Sequence, residues 1–220
     1  MISTIIQLWT KYDYVYLNGL VGTLWLAAVT VFVATIIGTL LAIMKLSRVK
    51  ILDKITNLYI GLLRGTPILL QLYFFWLLLP KISPVSLSDT ACIVIALIVN
   101  ASSYVAEIIR AGIQAVDKGQ TEAAKSLGMS NRNTMRRIIL PQAIKNILPA
   151  LGNQYINMVK QTSLASVFFV QELMTSYRTV QSATFLAIPS LVIVGIIYLV
   201  VTSVLSKGLD IFERRLQSNE

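Results

Sequence analysis

The chain has 220 residues, of which 55% are hydrophobic and only 13% charged, and its mean hydropathy is +0.71; in a soluble domain about a quarter of residues are charged. A net charge of +9 would fit nucleic acid, but the basic residues lie between long apolar runs, where membrane topology accounts for them better, so no nucleic-acid partner is expected. The absence of histidine and the presence of a lone Cys92 exclude imidazole bases, Ser-His-Asp triads, disulfide frameworks and most zinc sites, and no metal site is expected.

The N-terminal stretch lacks a basic start, an apolar core and a small-residue cleavage site, so no signal peptide is expected there. Trp9, Tyr12, Tyr14 and Tyr16 predict an interfacial aromatic belt on the outer side. A helix needs roughly 20 apolar residues to cross the hydrocarbon core, and five segments qualify. They run over about 17–46, 55–79 (with Arg64, Gly65 and Pro67), 90–113 (with Asn100 and Glu107), 147–170 (the most polar) and 183–206 (clean apart from Pro189). The prediction is an all-α membrane protein of five transmembrane helices forming one unit over 1–220, with no separate soluble domain.

Basic residues orient this bundle. Lys45, Arg48, Lys50 and Lys54 lie between the first two spans. Arg110, Lys118, Lys125, Arg132, Arg136, Arg137 and Lys145 lie between the third and fourth, and Lys207, Arg214 and Arg215 follow the fifth. Lys11, Lys81 and Arg178 flank the opposite side. The positive-inside rule then places the N-terminus outside and the C-terminus in the cytoplasm.

No GxxxxGK[ST] loop is present to cradle nucleotide phosphates, and the acidic residues read as loop, tail or span-end residues. An ion-coupled carrier usually places an acid within the membrane, which disfavours a small secondary transporter. A non-transporting structural subunit is the other alternative. The chain is not expected to be an enzyme or to bind a cofactor.

One charged island interrupts the apolar runs. In "EAAKSLGMSNRNTMRRIILPQ", Glu122 to Leu127 read as a short helix that Gly128 ends in a left-handed cap, and Ser130 or Asn131 can cap the next helix. Such a pair suits docking into another protein's groove, or simply forms a loop of the bundle.

The island resembles the EAA loop of ABC importer permeases. "RGTPILLQL" (Arg64 to Leu72), "NASSYVAEIIRAGIQAVDKGQTEAA" (Asn100 to Ala124) and "NQYINMVKQTSLAS" (Asn153 to Ser166) resemble, in order, the polar amino-acid uptake permeases of that class. The resemblance implies a type I importer permease fold in a bacterial cytoplasmic membrane. It also implies a coupling helix over about 120–135, with Glu122, Ala123, Ala124 and Gly128 contacting the ATPase. The implied partners are a cytosolic ABC ATPase dimer carrying ATP-Mg, a second permease chain (identical or homologous), an extracytoplasmic amino-acid-binding protein and a polar amino-acid substrate.

The polar residues of the spans are the candidate ligand contacts. Arg64 lies about ten residues into its span, near mid-depth for a straight helix of roughly 1.5 Å rise per residue. It could brace carbonyls freed around Gly65 and Pro67, or bind substrate. Asn100, Ser103, Tyr104, Glu107 and Ala111 share one helical face, with Glu107 spaced to pair with Arg110 in a structural or gating role. Asn153, Asn157, Lys160 and Gln161 form a second stripe, widened by Gln154, Thr162 and Ser163, which reads as a lined pathway more readily than as interhelical glue. Arg64 and Lys160 have no carboxylate expected at their depth, so a substrate carboxylate suits either, with Asn100, Gln154 and Thr162 reading the remaining polar groups. Family members that take basic amino acids often have Glu where this chain has Gln154, which implies a neutral substrate such as glutamine or cystine, or an acidic one.

Overall fold

The computed structural model describes residues 1–47 and 49–217; Arg48, one of the flanking basic residues above, lies outside the described residues, as do 218–220. Within them the chain is helical and contains no strand. Helix α1 (Ile2–Leu46) is straight except at Tyr12, where φ −125° breaks its geometry. Its buried face is Thr23, Ala27, Thr30, Ala34, Gly38 and Ala42. Small side chains at three- and four-residue spacing let another helix approach closely, which is how membrane helices pack without a hydrophobic driving force. That partner is α4 (Asp89–Gln114), and the α1–α4 contact is the most extensive in the molecule. Around this spine pack α3 (Ile68–Ile82) and α7 (Leu140–Gln161), while α9 (Ala187–Gln217) lies against α7 and α1.

Three helices, α1, α4 and α9, are long and apolar enough to span a membrane, and a bent pair makes a fourth candidate. The pair is α2 (Lys50–Gly65) and α3, which meet at 109°. The segment 55–79 is therefore not the single straight helix that its hydropathy predicts. Pro67 forbids helical continuation, because its ring clashes with the preceding turn and its nitrogen cannot donate; Thr66 accordingly turns extended at φ −119°, ψ 147°.

Two further segments differ from their predicted outlines. The stretch 147–170 begins inside α7 and tightens after Gln161 into a 3₁₀ helix, Thr162–Phe168. Before the last span a separate helix, α8 (Leu173–Thr184), intervenes, and Phe185 in a left-handed conformation separates it from α9. Tyr16 does not join the aromatic belt. It is fully buried, with its hydroxyl 2.8 Å from the Ser190 hydroxyl, whereas Trp9 and Tyr14 are exposed.

The island folds as its capping residues dictate. Helix α5 (Lys118–Ser126) ends at Gly128, whose φ of +76° is unfavourable for a residue with a Cβ. The Gly128 and Met129 amides donate to the carbonyls of Lys125 (2.9 Å) and Ala124 (3.0 Å), satisfying the last turn. Ser130 then caps α6 (Asn131–Thr134) by accepting from the Asn133 amide at 3.3 Å. A single π-helical turn, Met135–Ile139, joins α6 to α7 with no intervening loop.

Candidate functional site

A cleft of about 470 Å³ lies between α2, α4 and α7. Arg64 enters it from the end of α2; Tyr104, Glu107 and Arg110 line it from α4; and Asn153, Gln154 and Asn157 line it from α7. The helical spacing of those residues on α4 and α7 puts each set on one face, so the sequence pattern itself turns both sets toward the same space.

Glu107 is the electrostatic centre of this cleft. Its carboxylate accepts from Lys45 Nζ at 2.6 Å and from Arg110 Nη2 at 2.8 Å, with Arg110 Nε at 3.2 Å. Arg64 Nη1 stands farther off, at 3.7 Å from Oε2. Its guanidinium lies over the Tyr104 ring, 5.3 Å from the centroid, and its side chain is 44% exposed. Arg110 is held further by Gln114. The expected Glu107–Arg110 pair is therefore present, but the expectation that Arg64 has no carboxylate near it is overturned. The C-terminal ends of α1 and α2 both bring a cation to this carboxylate on α4.

Arg64 does not brace the bend. That role falls to Gln71, whose amide nitrogen donates to the Leu63 carbonyl (2.8 Å), the Thr66 hydroxyl (2.8 Å) and the Thr66 carbonyl (3.2 Å). Asn100 donates in turn to Gln71 Oε1 at 2.9 Å and is only 2% exposed. It supports the bend from α4 and lies behind the cleft, outside its lining. Thr162 is fully buried and donates to the Val159 carbonyl at 2.8 Å. Lys160 is exposed near the end of α7 and meets no carboxylate among the described residues. Of the five predicted ligand contacts, the structure brings Arg64 and Gln154 together in one cleft and leaves Asn100, Thr162 and Lys160 outside its lining.

On the island, Ala124 is buried, while Glu122, Ala123 and Gly128 are exposed. Leu127, which the residue pattern did not single out, is 83% exposed at the tip.

Sequence reasoning also missed Glu172, which read as a loop acid and is fully buried. It caps α8, accepting from the amides of Met174 (2.7 Å) and Thr175 (2.5 Å), the Thr175 hydroxyl (2.9 Å) and the Tyr198 hydroxyl (3.2 Å). An acid directly before an amphipathic segment is a helix-cap signal, and that signal was available. Beside it, a Cβ on Gly22 would meet the Gln171 carbonyl oxygen at 2.4 Å, so α1 packs directly on the backbone that enters α8.

Comparison with known proteins follows this geometry. The profile of the family described as "binding-protein-dependent transport system inner membrane component" matches residues 34–218. The arginine transport system permease protein ArtQ of Bacillus subtilis is 36% identical over 204 residues, covering 93% of each chain. The probable glutamine ABC transporter permease protein GlnM of the same organism is also 36% identical over 204 residues, covering 93% of this chain and 94% of its own. Among solved structures, an amino acid ABC transporter crystallised with histidines superposes with a TM-score of 0.90 at 43% identity, over 94% of this chain and 96% of that one. The inward-facing MetNI methionine ABC transporter matches the fold alone, at 16% identity and a TM-score of 0.79, over 92% of this chain and 96% of its own. The chain belongs to the family of inner membrane components of binding-protein-dependent transport systems, as an integral membrane ABC permease of type I fold.

Proposed function

We propose that this chain is the membrane-spanning subunit of an ATP-driven importer that moves a polar amino acid, delivered by an extracytoplasmic binding protein, across a bacterial cytoplasmic membrane. The observation that carries this reading is mechanical continuity. Helix α7 lines the cleft and runs back through one π-helical turn into α6, while α4 lines its other wall and reaches α5 after only residues 115–117. A force applied at the exposed Leu127–Gly128 tip thus reaches both walls through helix. ATP-Mg binds a partner ATPase dimer, closure of that dimer moves the tip, and a second permease chain completes the pathway. The permease lowers no covalent barrier; it converts a conformational equilibrium into directed movement. The basic flanks support five crossings with the N-terminus outside, α2 and α3 together making the second.

Two relatives equally similar to this chain are named for arginine and for glutamine, so overall identity does not choose the substrate. The cleft supports a neutral or acidic amino acid. Its one carboxylate, Glu107, is already engaged by Lys45 and Arg110, whereas Arg64 and Gln154 line the cleft without a carboxylate within hydrogen-bond distance. Arg64 takes the substrate carboxylate and Gln154 reads the side chain, able both to donate and to accept.

Reconstitution of the complex in proteoliposomes tests both halves. Ala123→Asp and Gly128→Val are expected to leave the permease assembled in the membrane while abolishing substrate-stimulated ATP hydrolysis; unchanged transport by Gly128→Val overturns the coupling role. Uptake of glutamine or cystine is expected to exceed that of arginine. A preference for arginine that survives Gln154→Ala overturns the substrate assignment.

A further inference from the structure

The charges around the cleft are unequally held. Glu107 has hydrogen-bonded partners on both oxygens from Lys45 and Arg110, while Arg64 approaches only to 3.7 Å, beyond hydrogen-bond distance, and rests on the Tyr104 ring. Its side chain is 44% exposed, against 18% for Lys45 and 28% for Arg110. An arginine offers five donors in a planar fork suited to a carboxylate, and no carboxylate oxygen among the described residues lies within hydrogen-bond distance of the Arg64 guanidinium.

We propose that Glu107 is a positioning residue that parks Arg64 in the empty cleft and yields it to the carboxylate of the incoming amino acid. The proposal rests on the substrate reading above. Glu107 loses little in the exchange, because Lys45 and Arg110 keep both of its oxygens occupied. Arg64 gains a bidentate partner in place of a distant one, and charge-assisted bidentate pairs are the stronger kind. Before substrate arrives, the Glu107 field and the Tyr104 face hold the guanidinium at the cleft wall. The exchange also links occupancy to the helix framework: Arg64 leaves a carboxylate shared by the ends of α1 and α4.

The test is equilibrium binding of L-glutamine to the permease–ATPase complex in nanodiscs, without binding protein, with the α-carboxamide of glutamine as the control ligand. Glu107→Gln removes the competitor and is expected to tighten glutamine binding by about threefold to fivefold, the scale of an exposed ion pair. In an Arg64→Gln background the gain is expected to vanish, because it acts through Arg64. Lys45→Met leaves Glu107 undercompensated, draws Arg64 in, and is expected to weaken glutamine binding by a similar factor; this variant carries the test if Glu107→Gln does not assemble. The carboxamide is expected to respond to none of them. A Glu107→Gln gain that persists with Arg64→Gln is a through-space field effect and overturns the proposal, as does weaker binding in Glu107→Gln or tighter binding in Lys45→Met. Wild-type complex that binds the carboxamide as tightly as glutamine refutes the substrate reading itself, before any variant is compared.

Discussion

Two carboxylates in this permease are kept in the interior by opposite means. Glu107 sits at a cleft with a side chain 17% exposed and three cations around it, drawn from the ends of three helices. Glu172 is fully buried and meets no cation among the described residues; two amides at a helix start and two hydroxyls hold it. Cations on long flexible stems attract at a distance and tolerate exchange. Amides and hydroxyls fixed in packed helices work only at one geometry. The difference teaches where the molecule is built to rearrange and where to stay: α8 and α9 are fastened through Glu172, whereas α1, α2 and α4 meet at a charge cluster that can trade partners.

The largest expected effect tests the fastened end. Glu172→Leu leaves the Met174 and Thr175 amides without their acceptor in a buried site, and is expected to cost roughly 3–5 kcal/mol, read as a lower unfolding midpoint and loss of the assembled complex in detergent. If Glu107→Gln lowers that midpoint as far, the contrast between a fastening and an exchangeable cluster fails. Thr23→Val comes next. It removes the hydroxyl that accepts from the Leu173 amide at 3.0 Å, leaving a buried donor unpaired at a cost of about 1–3 kcal/mol, with transport by the surviving complex unchanged. The smallest is Tyr198→Phe, which deletes the longest of the Glu172 contacts and is expected to cost about 0.5–1.5 kcal/mol by the same thermal measurement.

Local chemistry made some of this legible in the sequence and long-range packing hid the rest. The island's helix–turn–helix could be read because its determinants, Gly128 and Ser130, act within a few residues of themselves. The Glu107–Arg110 pair was legible for the same reason, as neighbours one turn apart on α4. The capping role of Glu172 was legible in the same way, but its burial was not, since its Tyr198 partner lies 26 residues away. Asn100 was assigned to the ligand because the apolar run around it holds no partner; its partner, Gln71, comes from another helix, and only the bend explains why it is needed. Arg64 lines the cleft, and the carboxylate near it was missed because Glu107 comes from another helix. Its neighbours Gly65 and Pro67 were noticed, but hydropathy is blind to the angle they impose.

That angle has a consequence for biogenesis. At 1.5 Å per residue, the fifteen residues of α3 rise about 22 Å, well short of a hydrocarbon core of about 30 Å. As it emerges from the ribosome, α3 makes a poor anchor by itself, and α2, with Lys50 and Lys54 near its start, favours the aqueous face. The bent pair therefore gains its lasting place only when α4 has been synthesised and Asn100 reaches Gln71. Asn100→Leu is a defect of maturation on this view: the chain is made at the normal rate but is cleared by quality control before it meets its partners.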